Sequence, residues 1–457
     1  MFKRVLVANR GEIAVRIIRA LRVMGIPSVA VYSKVDKDAL HVRLADQRIC
    51  IGEGPARDSY LNMDAIIMAA KNMECDAIHP GYGFLSENSA FARKCEENGI
   101  TFIGPSPDII DKMGNKSAAR KLMMEAGVPT VPGTKEPVYD AEKALPIARE
   151  IGFPVMIKAS SGGGGKGMRE CMKEEDFIDE FNMAQRESAN AFGDDTMYIE
   201  KLILHPRHVE VQIIGDKFGN VRALGERDCS VQRNHQKLIE ESPSPAITEK
   251  VRKKMLDDAV TAAKAVGYDS VGTIEFIVDQ SGTYYFMEMN TRIQVEHGVT
   301  EMETGVDLVM EMIRVAAGEE LHILERDLKR RGHTIECRIN AEIPEKNFMP
   351  SPGKITHLLL PGGNGVRVDT AVYTGYEIPS EYDSMIAKII VHGEDRMSAI
   401  MKMRAALEET LIMGVDTNLD FQYKIMHTKT FCDGKADTGF IKAFTEGGKQ
   451  NAGGSQQ

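Results

Sequence analysis

The sequence predicts an α/β protein built from about three units. Its 457 residues are more than one hydrophobic core usually serves. In roughly the first hundred residues, short apolar strands alternate with amphipathic helical stretches, the pattern of a parallel sheet. Further on, strands are polar at alternate positions, and Gly/Pro-rich breaks punctuate the chain. A hydrophobic fraction of 43% and a charged fraction of 27% suit a globular chain. The net charge of −10 argues against a general nucleic-acid binder, so any anionic ligand needs a local cationic cluster. Seven scattered cysteines without a C-x-x-C pair fit a reducing cytoplasm and speak against a disulfide framework or a zinc site. No apolar run reaches membrane-spanning length, and no leader peptide is expected before the first strand.

The first unit is placed at residues 1–113. Val5-Leu-Val-Ala reads as a strand, Ile13 to Met24 as a helix, Val29-Ala-Val-Tyr as a strand and Tyr60 to Met73 as a helix. Asp76-Ala-Ile-His, a helix from Ser89 to Asn98 and Ile100-Thr-Phe-Ile-Gly complete it. The turn Asn9-Arg-Gly-Glu lacks the glycines of a dinucleotide fingerprint, so the unit is Rossmann-like in shape without an NAD site. After Gly104-Pro-Ser-Pro comes a helix to Ala126, then a strand Phe153 to Lys158. The loop Ser160-Ser-Gly-Gly-Gly-Gly-Lys-Gly follows. It is not a Walker A loop, because Gly167 follows Lys166, but bare backbone N–H groups between Lys158 and Lys166 suit an anion. A glycine-rich linker is the alternative. In Met197-Tyr-Ile-Glu-Lys-Leu-Ile, Glu200 and Lys201 interrupt an apolar run, as partners for a nucleotide base would. His208, Glu210 and Gln212 share one strand face, on a site or simply in solvent. The polar run Gly225 to Lys237 is either a surface loop or part of the same site.

The most telling stretch is the hairpin Thr273 to Asn290 and its continuation to Glu301. With a two-residue loop at Gln280-Ser281, Glu275 lies opposite Phe286 with Glu288 on its diagonal. Side-chain alternation then puts Glu275, Glu288 and Asn290 on one face. Two carboxylates and an amide oxygen there invite a cation, and magnesium is a hard ion held by such groups. Arg292, Gln294 and Glu296 extend the alternation. A helix from Val306 to Ala317 follows. The third unit, residues 331–446, opens on a strand centred on Arg338, a residue too costly to bury without an anionic partner. Helical patterning runs from Arg396 to Ile412, and residues 447–457 read as a disordered tail. Met401-Lys-Met403 mimics a biotin-attachment signature, but its helical surroundings make Lys402 an ordinary helix lysine.

These motifs together resemble those of the biotin carboxylase family. They are Ala8-Asn-Arg-Gly-Glu-Ile-Ala, His79-Pro-Gly-Tyr-Gly-Phe-Leu-Ser-Glu-Asn, the glycine loop, Glu226-Arg-Asp-Cys-Ser-Val-Gln-Arg, Glu288 to His297, Glu336-Cys-Arg-Ile-Asn-Ala-Glu and Pro352-Gly-Lys-Ile. The resemblance implies a pre-ATP-grasp domain, an ATP-grasp domain at 114–330 with a mobile lid at about 131–203, and a C-terminal biotin carboxylase domain. It implies ATP, magnesium or manganese, and biotin brought on a separate carboxyl carrier protein. Carboxyltransferase subunits and a homodimer are the implied partners. Lys116, Lys158, Gly164 and Gly165 would hold the ATP phosphates; Glu200, Lys201, Ile203, His208, Gln232 and His235 would surround base and ribose. Glu275, Glu288 and Asn290 would ligate the metal. Lys237, Arg292, Gln294 and Val295 would hold bicarbonate, Glu296 would be the base, and Arg338 would stabilise the biotin enolate. Another ATP-grasp carboxylate ligase, or a catalytically silent nucleotide-binding protein, is the alternative. The chain departs from the family pattern in having four consecutive glycines, in Lys166, where Arg is common, and in Gly298, where Pro is common.

Overall fold

The computed structural model describes residues 1–134, 136–159, 167–323, 328 and 331–452. Its N-terminal part is a five-stranded parallel sheet in the order Gln47–Gly52, Ser28–Ser33, Val5–Val7, Ala77–His79, Thr101–Phe102. Helices Gly11–Val23, Met63–Asn72 and Ser89–Glu97 pack on it, each burying an apolar stripe. The helix expected from Tyr60 starts later because Asn62 caps it, accepting from the Ala65 N–H. The edge strand Gln47–Gly52 is not among the expected elements, since its pattern is polar and mostly exposed. Asn9 ties the first turn to the glycine motif after Ala77–His79, donating to the carbonyls of Pro80 and Tyr82 at 2.7 Å each.

A separate three-stranded antiparallel sheet, with Val155–Ala159 between Met168–Cys171 and Met197–Lys201, carries helices Ala141–Ile151 and Phe177–Phe192 on an apolar core. The loop 160–166, with Gly164, Gly165 and Lys166, lies outside the described residues.

The remaining chain is organised by one eight-stranded sheet. Its order is Tyr284–Asn290, Val271–Val278, Arg207–Gly215, Val221–Arg233, Gln236–Ser242, His333–Asn340, Met385–Gly393, Val366–Thr370. Antiparallel pairing of Gln236–Ser242 with His333–Asn340 carries this sheet across the expected boundary near residue 330. Helix Glu249–Val266 covers one face. Little in its pattern announces it, because its buried residues are mainly alanines: Ala259, Ala262 and Ala263 beside Met255 and Val266.

Several expectations change. The hairpin turn spans more than two residues, with the Asp279 N–H donating to Thr283 O and Gly282 at φ +85°. A register shift between Glu275 and Phe276 then sets Glu275 directly opposite Glu288 and Phe276 opposite Phe286. The helix expected to reach Ile412 is Arg396–Glu409; Leu411–Met413 turns away as a strand against His357–Leu359, where backbone pairing replaces helical bonds. The last helix, Phe440–Ala452, runs into the stretch expected to be a disordered tail. It is anchored by Phe444, which packs against Phe421 and Phe440. Residues 453–457 lie outside the described residues. Among the described residues, no helix is long and apolar enough to cross a membrane.

Candidate active site

The site lies on one face of the large sheet, where three polar strands meet the loop 291–296. Lys237, on Gln236–Ser242, is its hub. Its Nζ lies 2.5 Å from Glu210 Oε2, 2.6 Å from Glu296 Oε1 and 3.1 Å from Glu275 Oε1. Burial would lower its pKa, but these three carboxylates push it well above the usual lysine range. Arg338 reaches Glu296 as well, from the adjoining strand, 3.0 Å from Glu296 Oε2 and 2.6 Å from Glu240 Oε1. Burial alone would raise the Glu296 pKa. Lys237, Arg338 and Arg227 outweigh it and hold the carboxyl well below its usual range. Glu296 is therefore ionised and held between two cations.

Beneath the hub sits Arg227, fully buried and hydrogen-bonded in a fan. It donates to Glu210 (2.6 Å), Gln212 (2.7 Å), Thr300 (2.8 Å), Gln294 (2.8 Å) and Thr273 (3.3 Å). Such a buried guanidinium is tolerable because Glu210 pairs with it and neutral oxygens take its other donors. Gln294 is thereby fixed, and its Nε2 donates to Glu275 Oε1 at 2.9 Å. Asn290 Nδ2 donates to the same oxygen at 2.8 Å, while Asn290 Oδ1 accepts from Arg292 at 3.2 Å. Arg292 also holds Glu87 at 2.8 Å, a residue of the N-terminal unit. His208 Nε2 stands 3.2 Å from Glu275 Oε2. Burial would lower the His208 pKa, but Glu275 outweighs it and raises it.

The one-face expectation thus holds for Glu275, Asn290 and Gln294, although the chain leaves the strand after Asn290. Glu288, opposite Glu275, pairs with Lys116 at 3.1 Å. Both carboxylates carry a cation partner, and their oxygens with the Asn290 amide oxygen are hard donors. The set fits magnesium or manganese. Two further donor groups, His208–Glu210–Glu275 and Glu210–Cys229–Glu296, have ligand atoms within 4.8 Å of one another, and Lys237 pairs with the carboxylates of both, Glu275 of the first set included.

The smaller sheet supplies Lys158, Glu200 and Lys201. Lys158 pairs with Glu200, which also faces Arg120 at 3.6 Å. Lys201 Nζ donates to the carbonyls of Gly152 (2.8 Å) and Phe153 (3.0 Å). These contacts by themselves account for the charges at Glu200 and Lys201. Ile203 is half-buried in the link to Arg207–Gly215, and Gln232 is buried. His235 stands exposed at a turn, with φ +63°. Lys402 is helical, and its Nζ donates to the carbonyls of Asn364 and His392.

Glu87, Glu240 and Lys388 are site residues that sequence reasoning misses, and Arg227 is read only as one cation of the polar run Gly225 to Lys237. Lys388 carries a readable signal, a lone lysine among Ile, Ala and Val in Met385–Gly393. Glu87 stands in the motif His79 to Asn88, but nothing in that motif points to Arg292, 205 positions away.

Lysine–glutamate pairs, two glutamates facing each other across a hairpin and a buried carboxylate between cations, on an antiparallel sheet with a smaller sheet beside it, are the architecture of an ATP-grasp enzyme. The model of the biotin carboxylase N-terminal domain matches residues 1–110, that of the carbamoyl-phosphate synthase L chain ATP-binding domain 115–324, and that of the biotin carboxylase C-terminal domain 336–443. Biotin carboxylase 1 of Bacillus subtilis is 56% identical over 97% of this chain and 99% of its own. The biotin carboxylase domain dimer of Hydrogenobacter thermophilus 2-oxoglutarate carboxylase, solved with MgADP, ADP and bicarbonate, superposes with a TM-score of 0.90 at 51% identity, over 98% of each chain. A variant of Rhizobium etli pyruvate carboxylase, solved with the allosteric activator acetyl coenzyme A, superposes with a TM-score of 0.89 at 43% identity, over 97% of this chain and 40% of its own. The chain belongs to the biotin carboxylase family and is an ATP-dependent ligase.

Proposed function

We propose that this chain carboxylates biotin with ATP and bicarbonate through carboxyphosphate, as the first half-reaction of an acyl-CoA or pyruvate carboxylase. The observation that supports this best is the buried base Glu296 held between Lys237 and Arg338. Lys116, Lys158, Gly164 and Gly165 take the ATP phosphates; Glu200, Lys201, Ile203, His208, Gln232 and His235 surround base and ribose. Glu275, Glu288 and Asn290 hold magnesium or manganese, which when bound neutralises charge developing on the transferred phosphoryl group. Bicarbonate is held by Lys237, Arg292, Gln294 and the Val295 backbone.

A carboxylate as strongly stabilised as Glu296 is a weak base. Bicarbonate must therefore draw Lys237 toward itself, removing one cation from Glu296 and raising its basicity as the anion binds. Glu296 then takes the bicarbonate proton, and an oxygen of the resulting carbonate bonds to the γ-phosphorus as the bond to ADP breaks, giving carboxyphosphate. Carboxyphosphate then breaks into phosphate and CO2; phosphate takes the proton of the biotin ureido nitrogen, Arg338, which stays charged, stabilises the enolate so formed, and the nitrogen bonds to CO2.

Biotin arrives on a separate carboxyl carrier protein, because Lys402 is committed to a helix and to two carbonyl oxygens. Carboxyltransferase subunits complete the reaction, a second copy forms the homodimer, and the seven free cysteines suit the cytoplasm. ADP release measured with biotin and bicarbonate, each omitted in turn, tests the reading. Turnover that is unchanged without biotin sinks it.

A further inference from the structure

We infer that Lys388 is a positioning residue for bicarbonate: it locks the peptide joining Val295 to Glu296, and so aims the base at the anion. The inference rests on the bicarbonate reading of that loop. Lys388 is fully buried in a strand otherwise made of Ile, Ala, Val and Met up to its polar end. Burying an ammonium is costly, and here three carboxylates offset the cost. They stand back from it: Glu12 at 3.6 Å, Asp369 at 3.8 Å and Glu336 at 3.9 Å. The hydrogen bond goes instead to the carbonyl oxygen of Val295.

The preceding peptide is pinned as well. The Gln294 carbonyl accepts from His297 Nδ1 at 2.8 Å and from the His297 N–H at 3.3 Å. Burial, with Lys388, Arg16 and Arg367 nearby, holds His297 neutral, so its Nδ1 carries the donated proton. A peptide is planar, so fixing a carbonyl fixes the N–H behind it. His297 therefore orients the Val295 N–H, and Lys388 orients the Val295 carbonyl and the Glu296 backbone. Val295 belongs to neither a strand nor a helix, so this clamp supplies order that secondary structure does not. It also links the loop to the N-terminal unit, because Glu12 lies on helix Gly11–Val23.

Two variants separate positioning from mere stability. Lys388→Arg keeps the charge and displaces the donor; Lys388→Met with Glu336→Gln removes the donor and one of the carboxylates left behind. Urea midpoints, ADP affinity, and KM and kcat for bicarbonate are measured for both. We expect ADP affinity within about twofold of the parent and kcat/KM for bicarbonate lower by about 10–100-fold, the loss of one charge-assisted hydrogen bond. That loss should persist in whichever variant keeps the parental urea midpoint. A kcat/KM for bicarbonate that recovers in step with stability would overturn the inference. A parent without bicarbonate-dependent turnover would overturn the functional reading instead.

Discussion

Glu296→Gln tests the base assignment with the shape of the site preserved. The amide is isosteric but neutral, so it accepts no proton and loses both charge-assisted partners, Lys237 at 2.6 Å and Arg338 at 3.0 Å. Each cation keeps another anion: Lys237 retains Glu210 and Glu275, and Arg338 retains Glu240. Breaking a buried pair and stranding its partner costs about 3–5 kcal/mol. Here nothing is stranded, so the stability loss should fall below about 3 kcal/mol. Lys116, Lys158 and Glu200, proposed to bind the nucleotide, pair with other groups than Glu296, so ATP affinity should stay within about threefold. Turnover should fall about 10²–10⁴-fold, the usual range for a lost general base. Steady-state ADP release gives the turnover, nucleotide titration the affinity and urea unfolding the stability. Turnover within about fivefold of the parent, with affinity and stability intact, would refute the assignment.

Three further outcomes are expected. Arg338→Gln should lower biotin carboxylation by about 10²–10³-fold, measured as labelled carboxybiotin; near-parental carboxylation would count against its enolate role. Gly298→Ala should destabilise by about 1–3 kcal/mol, because an added Cβ would sit 2.4 Å from Ile390 Cδ1. Ile390→Val removes that carbon, so a double-mutant cycle by thermal unfolding should show the two changes compensating; strict additivity would contradict this. His41 is buried and neutral, its pKa pushed down to about 4 mainly by burial, against Asp36, which raises it. The unfolded chain takes up this proton below the ordinary histidine value, so this contribution is intact above about pH 6.5 and falls by about 3 kcal/mol as pH drops toward 4. His41→Gln should flatten the fall in unfolding free energy over that window by about one proton; an unchanged slope would rule the coupling out.

Much of the site is legible because its chemistry violates local rules. Arg338 inside a strand demands an anion, and Glu240 and Glu296 supply it. The same logic applies to Lys388, whose anions are Glu12, Glu336 and Asp369. Glu275, Glu288 and Asn290 are readable from strand alternation, but their true register is not, since a longer turn and a bulge rearrange the pairing. Arg227 can be seen in a cationic run, but its place at the centre depends on Thr273, Gln294 and Thr300 arriving from distant segments. The N-terminal sheet follows from its apolar periods, apart from the exposed edge strand Gln47–Gly52. Helix Glu249–Val266 stays hidden because alanines give its buried face little contrast. That one sheet continues past residue 330 cannot be read at all, since pairing of Glu240 with Glu336 is a matter of topology.

The central claim is that bicarbonate itself attacks ATP in the pocket formed by Lys237, Arg292 and Glu296. If so, the oxygen that bonds to phosphorus stays with phosphate when carboxyphosphate releases its carbon. The direct measurement is turnover with biotin and oxygen-18-labelled bicarbonate, followed by mass analysis of the inorganic phosphate. The account predicts one bicarbonate-derived oxygen in each phosphate; phosphate labelled only from solvent water would contradict it.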